Sequence, residues 1–405
     1  MEQLIININD IMENRIENNL KSLSKTVLVN LPQDAQTFTL DTFVEMQEDW
    51  IREESQKLKS KNQEVESAVD DLIQTICSYQ LDQHVEPISA EEIQKLSKYY
   101  NWSMYQALLH ATKYSLNQMK ERICGRRNAP KQVLKPFFEV DVHLDGDTCT
   151  LKPTLEEVQS AINRAASHVL KSTKRVQNWN QKDIPEDERE PFYDWIAKDK
   201  EIVKVILLLT GSIQGTKNNV KKFLESFERY NWLWRQKIDE SLKRFNSKNP
   251  QLEDFEGKLK EFVSFEDEIN LILNYHQIGA LNLKSESVKN GLKRWIEMWK
   301  SAFSMDLHKK AKTHLEGLTD DIKQIRLKIE KPVKDIDSLG SVMYALEEIR
   351  KKESEIELQF RPVTEMYSLL DTYLPKMMEK EETDVSSILD KDWAKLVIDA
   401  EAVRN

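Results

Sequence analysis

The stretch ILLLTGSIQGTKNN, residues 206–219, comes nearest in this chain to a nucleotide site, because an apolar run leads into two glycines and a lysine. A phosphate loop needs four residues between its glycines, then Lys followed directly by Ser or Thr. Its backbone N–H groups and ammonium then surround the phosphates while the hydroxyl holds magnesium. Here three residues separate Gly211 from Gly215, Thr216 intervenes before Lys217, and Asn218 replaces the hydroxyl. The stretch reads as a helix–turn–helix corner, and an ATP-binding enzyme built on it is the reading that these departures count against. Metal chemistry has no better footing. His308 and His314 lie six apart and share no helix face, His276 sits beside Gly279 in what reads as a helix–helix turn, and neither HExxH nor a Cys/His cluster occurs. Asp and Glu are abundant but read as solvated helix faces, with no acid–base pair singled out. No catalytic residue, cofactor or metal is expected.

Contact chemistry remains. Tyr230, Trp232 and Trp234 stand close together in RYNWLWRQKIDESLKRFNSKNPQLEDFEGKLKEF, a stretch that reads as a helical strut broken once, at Asn249-Pro250. Tyr230 and Trp234 fall on the apolar stripe. Trp232 lies off it, leaving that ring to face a second helix or a partner. The basic run at Lys217, Lys221 and Lys222 reads as a solvated helix start, with partner docking as the other use. Trp295 and Trp299, four apart with Phe303 beyond, read as core.

The elements that must position these rings are helices. The chain has 405 residues, only 9 Gly and 11 Pro, 32% charged and 40% hydrophobic residues. That balance suits helices with one buried stripe and a charged outer face. The net charge of −10, with signs interspersed, lacks the basic stripe of a nucleic-acid binder. The longest apolar run, within residues 202–209, is broken by Lys204, so no membrane insertion is expected, and the start MEQLIININD lacks the features of a signal peptide. Cys77, Cys124 and Cys149 are odd in number and form no CxxC, which fits structural thiols in a reducing compartment.

The fold class expected is mainly α: an elongated series of helical bundles with one short β-hairpin near residues 138–151. Four segments follow, residues 1–130, 131–153, 154–330 and 331–405. Ser89 with Glu92 forms a capping box at a helix start, and Pro153-Thr154 with Glu156 and Glu157 opens another helix that runs to about Trp179. In the hairpin, Val140, Val142 and Leu144 alternate with Glu139, Asp141 and His143 before Asp145-Gly146. Taking Asp145-Gly146 as a two-residue loop sets Val142 opposite Cys149, Val140 opposite Leu151 and Glu139 opposite Lys152. An unbroken helix is expected from Val220 through Phe245. A longer one carries Leu292, Trp295, Trp299, Phe303, Leu307, Ala311, Leu315, Leu318, Ile322, Ile325 and Ile329. Its ten steps over 37 residues average about 3.7, longer than the 3.5 of a left-handed zipper, so bundling is expected rather than a dimeric coiled coil. Hinges are expected at Gly125–Pro136, Asn249-Pro250, Lys331-Pro332 and Arg361-Pro362.

The order of these features resembles the tail (stem) of a dynein heavy chain. The resemblance begins at KPFFEVDVHLD and TLKPTLEEVQSAIN and continues through YNWLW, FNSKNPQLEDFEGKL and IGALNLKSESVKNGLKRWIEMWKSAF. It ends with VKDIDSLGSVMYALEEIRKKESEIELQFRPVTEMYSLLDTYL and DKDWAKLVIDA. It covers about residues 133–400, and its wording is closer to axonemal than to cytoplasmic heavy chains, with a lean to the outer arm. The resemblance implies a non-catalytic tail segment, a strut and subunit scaffold in ciliary movement. Its implied partners are intermediate and light chains or another heavy-chain tail, in the cytoskeleton and the ciliary axoneme. The family's ATPase ring, stalk and microtubule-binding tip find no counterpart in these residues, and the last residues look like the approach to the linker. A helical tether or spectrin-like adaptor unrelated to motors is the rival reading.

Overall fold

The computed structural model describes residues 2–32, 37–82, 88–125, 134–146, 148–179, 189–330, 336–373, 378 and 380–404. Its contacts divide into two compact units. The first comprises residues 1–227 and 273–287, and the second comprises residues 228–272 and 288–405. No helix among the described residues is long and apolar enough to cross a membrane.

The first unit holds α1 (Glu2–Asp10), α2 (Asn18–Ser24), α3 (Leu40–Asp82), α4 (Ala90–Cys124), α5 (Leu155–Ser172), α6 (Tyr193–Ile196), α7 (Lys200–Thr210) and α8 (Lys217–Glu225) around a small sheet. The capping logic holds at two starts. Ser89 and Glu92 bond reciprocally ahead of α4, and Thr154 and Glu157 do the same ahead of α5. Each box satisfies two backbone donors that a helix start leaves open. α5 ends at Ser172, followed by a short 3₁₀ turn to Arg175, earlier than the expected Trp179. Trp179 instead enters a buried polar knot. Its indole N–H donates to Asn62 at 2.9 Å, its backbone N–H donates to Asn101 at 3.0 Å, and Asn101 donates to Asn178 at 2.9 Å. Each amide can stay buried because its partners replace the water it lost.

The sheet contains β1 (Phe138–Asp145), β2 (Thr148–Lys152), β3 (Tyr275–Ile278) and β4 (Leu281–Lys284), in the order β2-β1-β4-β3. The expected hairpin is present, with its register moved by two residues: Val142 pairs with Leu151, Leu144 with Cys149 and Asp141 with Lys152. Asp145 closes the ladder against Thr148, so Gly146, at a φ of 55°, enters the turn while Asp145 stays in the strand. Glycine takes that left-handed conformation without the clash a Cβ would make. A shift of two keeps every side chain on its face, so Val140, Val142 and Leu151 remain buried as the alternation requires.

A second hairpin stands where the His276–Gly279 segment reads as a helix–helix turn. β4 lies parallel to β1, with Val140 opposite Leu283. Two short hairpins thereby share one sheet and one apolar face, a remedy for strands too short to be stable alone. Phe137 and Phe138 pack edge-on against Phe43 of α3, with ring centroids 5.6 and 5.0 Å away. Lys284 reaches Glu139 at 3.5 Å, taking the cation's place that the sequence assigns to Lys152.

The second unit holds α9 (Trp232–Arg235), α10 (Ile238–Asn246), α11 (Leu252–Leu271), α12 (Glu286–Ile329, from Val288 onward), α13 (Ile336–Tyr373) and α14 (Lys380–Arg404). The helix expected from Val220 to Phe245 is broken into α8, a 3₁₀ turn, α9 and α10, with Gln236 and Lys237 in extended conformation. Of the positions on the three-and-four spacing, Phe227 and Tyr230 are buried, whereas those beyond the break, from Trp234 to Phe245, are only partly so. Asn249, at a φ of 52°, precedes Pro250 at the next break, and α11 follows. Asn tolerates this region better than most residues, and a proline after it disfavours continued helix.

α12, α13 and α14 run up, down and up. Lys328 near the end of α12 meets Glu348 near the start of α13 at 2.8 Å, while His308 lies 6.5 Å, ring to ring, from Tyr367. On α14, Glu382 meets His308 and Trp393 packs against Phe360. Ten of the eleven apolar positions expected on α12 are buried, and Ile296 takes the place of Trp295. The average step conceals two regimes. From Trp299 to Leu315 the buried positions recur every four residues, whereas Ala311, Leu318 and Ile325 recur every seven. On α13, Val342, Ile349, Ile356, Val363 and Leu370 also keep a seven-residue repeat. These stripes meet within one chain, in a core shared with Leu389, Trp393 and Leu396 of α14.

Arg361-Pro362 does not break α13, which continues through Pro362. Phe360, Val363 and Tyr367 are buried on both sides of the proline, so tertiary packing outweighs the missing N–H of one turn. The hinge expected at Lys331-Pro332 and most of that at Gly125–Pro136 fall outside the described residues.

Candidate partner-binding site

Trp232 is half-buried in an aromatic cluster of the second unit. Its ring lies 5.4 Å from Trp299, 5.3 Å from Phe265 and 6.3 Å from Phe262, the last nearly parallel. Phe303 extends the cluster from Trp299 and Phe262, and Phe245 of α10 joins through Phe303 and Phe255. The ring that falls off the sequence stripe therefore does face other helices, α11 and α12, and it also borders open space. Trp234, expected on the core stripe, is half-buried, and Leu233 between the two tryptophans is the fully buried residue. A single turn of helix, isolated by breaks at both ends, turns a different face inward from the one a long helix would show.

That turn is fastened to α12 by a hydrogen bond as well as by ring packing. The Trp299 indole N–H donates to the Leu233 carbonyl at 2.7 Å in a buried bond. Below it, Lys300 reaches Glu266 at 3.2 Å and Glu297 at 2.8 Å. Burial alone would depress the Lys300 pKa, but the two carboxylates outweigh it and hold the ammonium above its ordinary value.

Between α9, α10, α11 and α12 opens a cleft of about 540 Å³. Its apolar wall is formed by Trp232, Phe245, Phe262, Phe265, Trp299 and Phe303, and its rim carries Arg229, Arg244, Lys248 and Lys258 against the single carboxylate of Glu261. Arg229 is engaged with Glu268 at 3.2 Å and lies over the Tyr230 ring, and Lys258 pairs with Glu261. Arg244 and Lys248, four residues apart on exposed positions, meet no carboxylate among the described residues. An apolar wall beside unpaired cations suits a ligand with an apolar anchor and negative charge.

The three lysines lie in the first unit. Lys217 is 3.9 Å from Glu156, Lys221 makes an i,i+4 pair with Glu225 at 3.6 Å, and Lys222 is exposed. All three stand at the surface on α8. The glycine segment before them forms the expected corner between α7 and α8. Gln159 of α5 closes it by donating to the Leu209 carbonyl at 2.8 Å and accepting from the Ile213 N–H at 3.0 Å. The Ile213 N–H of this corner is thus taken up by a side chain of a neighbouring helix. Among the described residues no group of three His, Cys, Asp or Glu side chains is placed to hold a metal.

One polar cluster escapes the sequence reading. His308 and Lys312 on α12 both bond Glu382 of α14, the histidine at 2.7 Å. Burial would raise the Glu382 pKa, but the Lys312 and His308 bonds outweigh it and hold the carboxyl below its ordinary range. Nearby, burial and the charges of Glu382 and Glu316 push the Tyr367 hydroxyl up to about 12. Burial likewise pushes the Cys149 thiol up to about 11, and all three cysteines are free. The four-residue spacing of His308 and Lys312 is visible in sequence, but their acid lies 70 residues away on another helix.

Similarity to known proteins runs along the whole chain. A family model described as dynein axonemal heavy chain 2/5/8 coiled-coil matches residues 302–402, the α12–α14 region. The chain is 34% identical over 397 residues, 98% of its length, to the dynein gamma chain of the flagellar outer arm of Chlamydomonas reinhardtii, covering 9% of that protein. It is 25% identical to dynein axonemal heavy chain 5 of Mus musculus, with 100% of this chain and 11% of the relative aligned. It is 24% identical to dynein axonemal heavy chain 8 of Homo sapiens, with 95% of this chain and 10% of the relative aligned. The chain therefore spans about a tenth of the length of the curated relatives it matches. The first 130 residues, where the resemblance by motif is least clear, fall inside the alignment with the mouse heavy chain 5, which takes in 100% of this chain. By this continuous similarity to axonemal heavy chains, together with the matching family region, the chain belongs to the axonemal dynein heavy chain family and has the character of its tail.

Proposed function

We propose that the chain acts as a non-catalytic tail segment of a dynein motor heavy chain. In this role it is a strut and subunit scaffold linking a motor to its axonemal attachment during microtubule-based movement of cilia. The observation that carries this reading is the 34% identity sustained over 98% of the chain with an outer-arm heavy chain. Helical stripes buried within one chain suit load-bearing, because force is shared over many side-chain contacts. Partners of this role are dynein intermediate and light chains or another heavy-chain tail, with Trp232, Lys217, Lys221 and Lys222 as contact residues. Nucleic acid and membrane have no part in it. The outer arm is favoured by the same relative.

Two measurements test the reading. The purified, tagged chain is incubated with a high-salt axonemal extract and recovered. Co-recovery of intermediate or light chains is expected, and their absence at concentrations that recover a control subunit overturns the scaffold role. The gene is also read beyond the codon for Asn405. Six ATPase modules in frame are expected, and a stop codon with no such modules would return the choice to a motor-independent tether.

A further inference from the structure

We propose that the cleft walled by Trp232 docks an acidic peptide segment carrying an aromatic or aliphatic anchor, supplied by a partner protein. The proposal rests on the reading of the chain as a partner-binding scaffold and names the surface and the chemistry of what it holds. Four observations carry it. The cleft, at about 540 Å³, has room for one or two large side chains. Its apolar wall includes rings, those of Trp232, Phe245 and Phe265, that remain only partly buried although the neighbouring Phe262, Trp299 and Phe303 are buried. The rim cations Arg244 and Lys248 meet no carboxylate among the described residues, in a chain whose net charge is −10. Finally, α9 is a separate turn whose carbonyl is held by Trp299, so Trp232 is presented at the cleft by a fixed support.

An anchor seated among the rings and an acidic flank over Arg244 and Lys248 satisfy both halves of the site at once. Apolar anchors contribute most of the affinity at such clefts, and rim charges set register and approach. A single-stranded nucleic acid also combines stacking with negative charge. It needs cations tracking its backbone, whereas the two unpaired cations here lie four residues apart at the end of α10 and in the turn after it, and the overall charge repels a long polyanion.

The test is selection of short random peptides on phage against the whole chain, followed by fluorescence polarisation with the selected peptides and, in parallel, with a labelled single-stranded oligonucleotide. Enriched peptides are expected to be rich in Asp and Glu around a Trp, Phe or Leu, and to bind more weakly as salt rises. The double variant R244E/K248E, at exposed positions that leave the fold intact by circular dichroism, is expected to weaken them by about tenfold or more. Trp232→Leu should weaken them while leaving the salt dependence in place. The proposal is overturned by a selection that yields no binders or only neutral or basic ones, by peptides indifferent to R244E/K248E, or by tighter binding of the oligonucleotide. Subunit recovery from axonemal extract reads the whole chain and peptide selection reads the cleft, so the two can fail separately.

Discussion

The Trp299 indole N–H donates to the carbonyl of Leu233, 2.7 Å away and 66 residues earlier, tying the isolated turn α9 to the first third of the long helix α12. This bond accounts for a short helix with breaks on both sides keeping a fixed position. A buried carbonyl left without a donor costs about 1–3 kcal/mol.

Trp299→Phe keeps an aromatic ring but removes that donor. It is expected to lower the stability of the second unit by about 1–3 kcal/mol, and Trp299→Ala by about 3–5 kcal/mol. Urea unfolding followed by circular dichroism, with hydrogen exchange across Trp232–Arg235, checks this. Equal urea midpoints for wild type and Trp299→Phe would show that the bond contributes nothing.

Glu382 predicts a pH dependence. Its carboxyl is depressed in the folded state relative to an ordinary value of 4.5, because Lys312 and His308 outweigh burial. Its stabilising share is therefore complete above the unfolded value and is lost as pH falls through the depressed folded value. Glu382→Gln is expected to cost about 1–3 kcal/mol near neutrality and to flatten the acid side of the stability profile. Parallel profiles for the two proteins in that acid range would sink the assignment.

Gly279 tests the second hairpin. It has a φ of 60°, and a Cβ built there would stand 2.9 Å from Thr216 Cγ2. Gly279→Ala is expected to destabilise the first unit by about 1–3 kcal/mol. Adding Thr216→Ser, which removes that methyl, should recover the steric share but not the backbone share. A double variant no more stable than Gly279→Ala alone would place Thr216 elsewhere.

Features that depend on neighbours along the chain are legible before any folding is considered. Capping boxes at Ser89 and Thr154 are legible because donor and acceptor lie three residues apart, and the buried face of α12 is legible because helical periodicity repeats every turn. The alternation around Val140 and Val142 gives a strand and its inward face in the same way. The hairpin register escaped because Asp145-Gly146 and a turn begun at Gly146 satisfy the same alternation, and only the ladder between Asp145 and Thr148 separates them. The β3–β4 hairpin escaped because four-residue strands carry little pattern of their own and are stabilised by pairing with β1, more than 130 residues away. Proline at 362 reads as a break because its local cost is evident, while the packing of Phe360, Val363 and Tyr367 that overrides it is not. The aromatic residues of the candidate site were all visible as types, with Trp232 marked by its place off the stripe. Their convergence with Arg244 and Lys248 into one cleft was decided by tertiary structure alone, because it depends on where α9, α10, α11 and α12 break and meet.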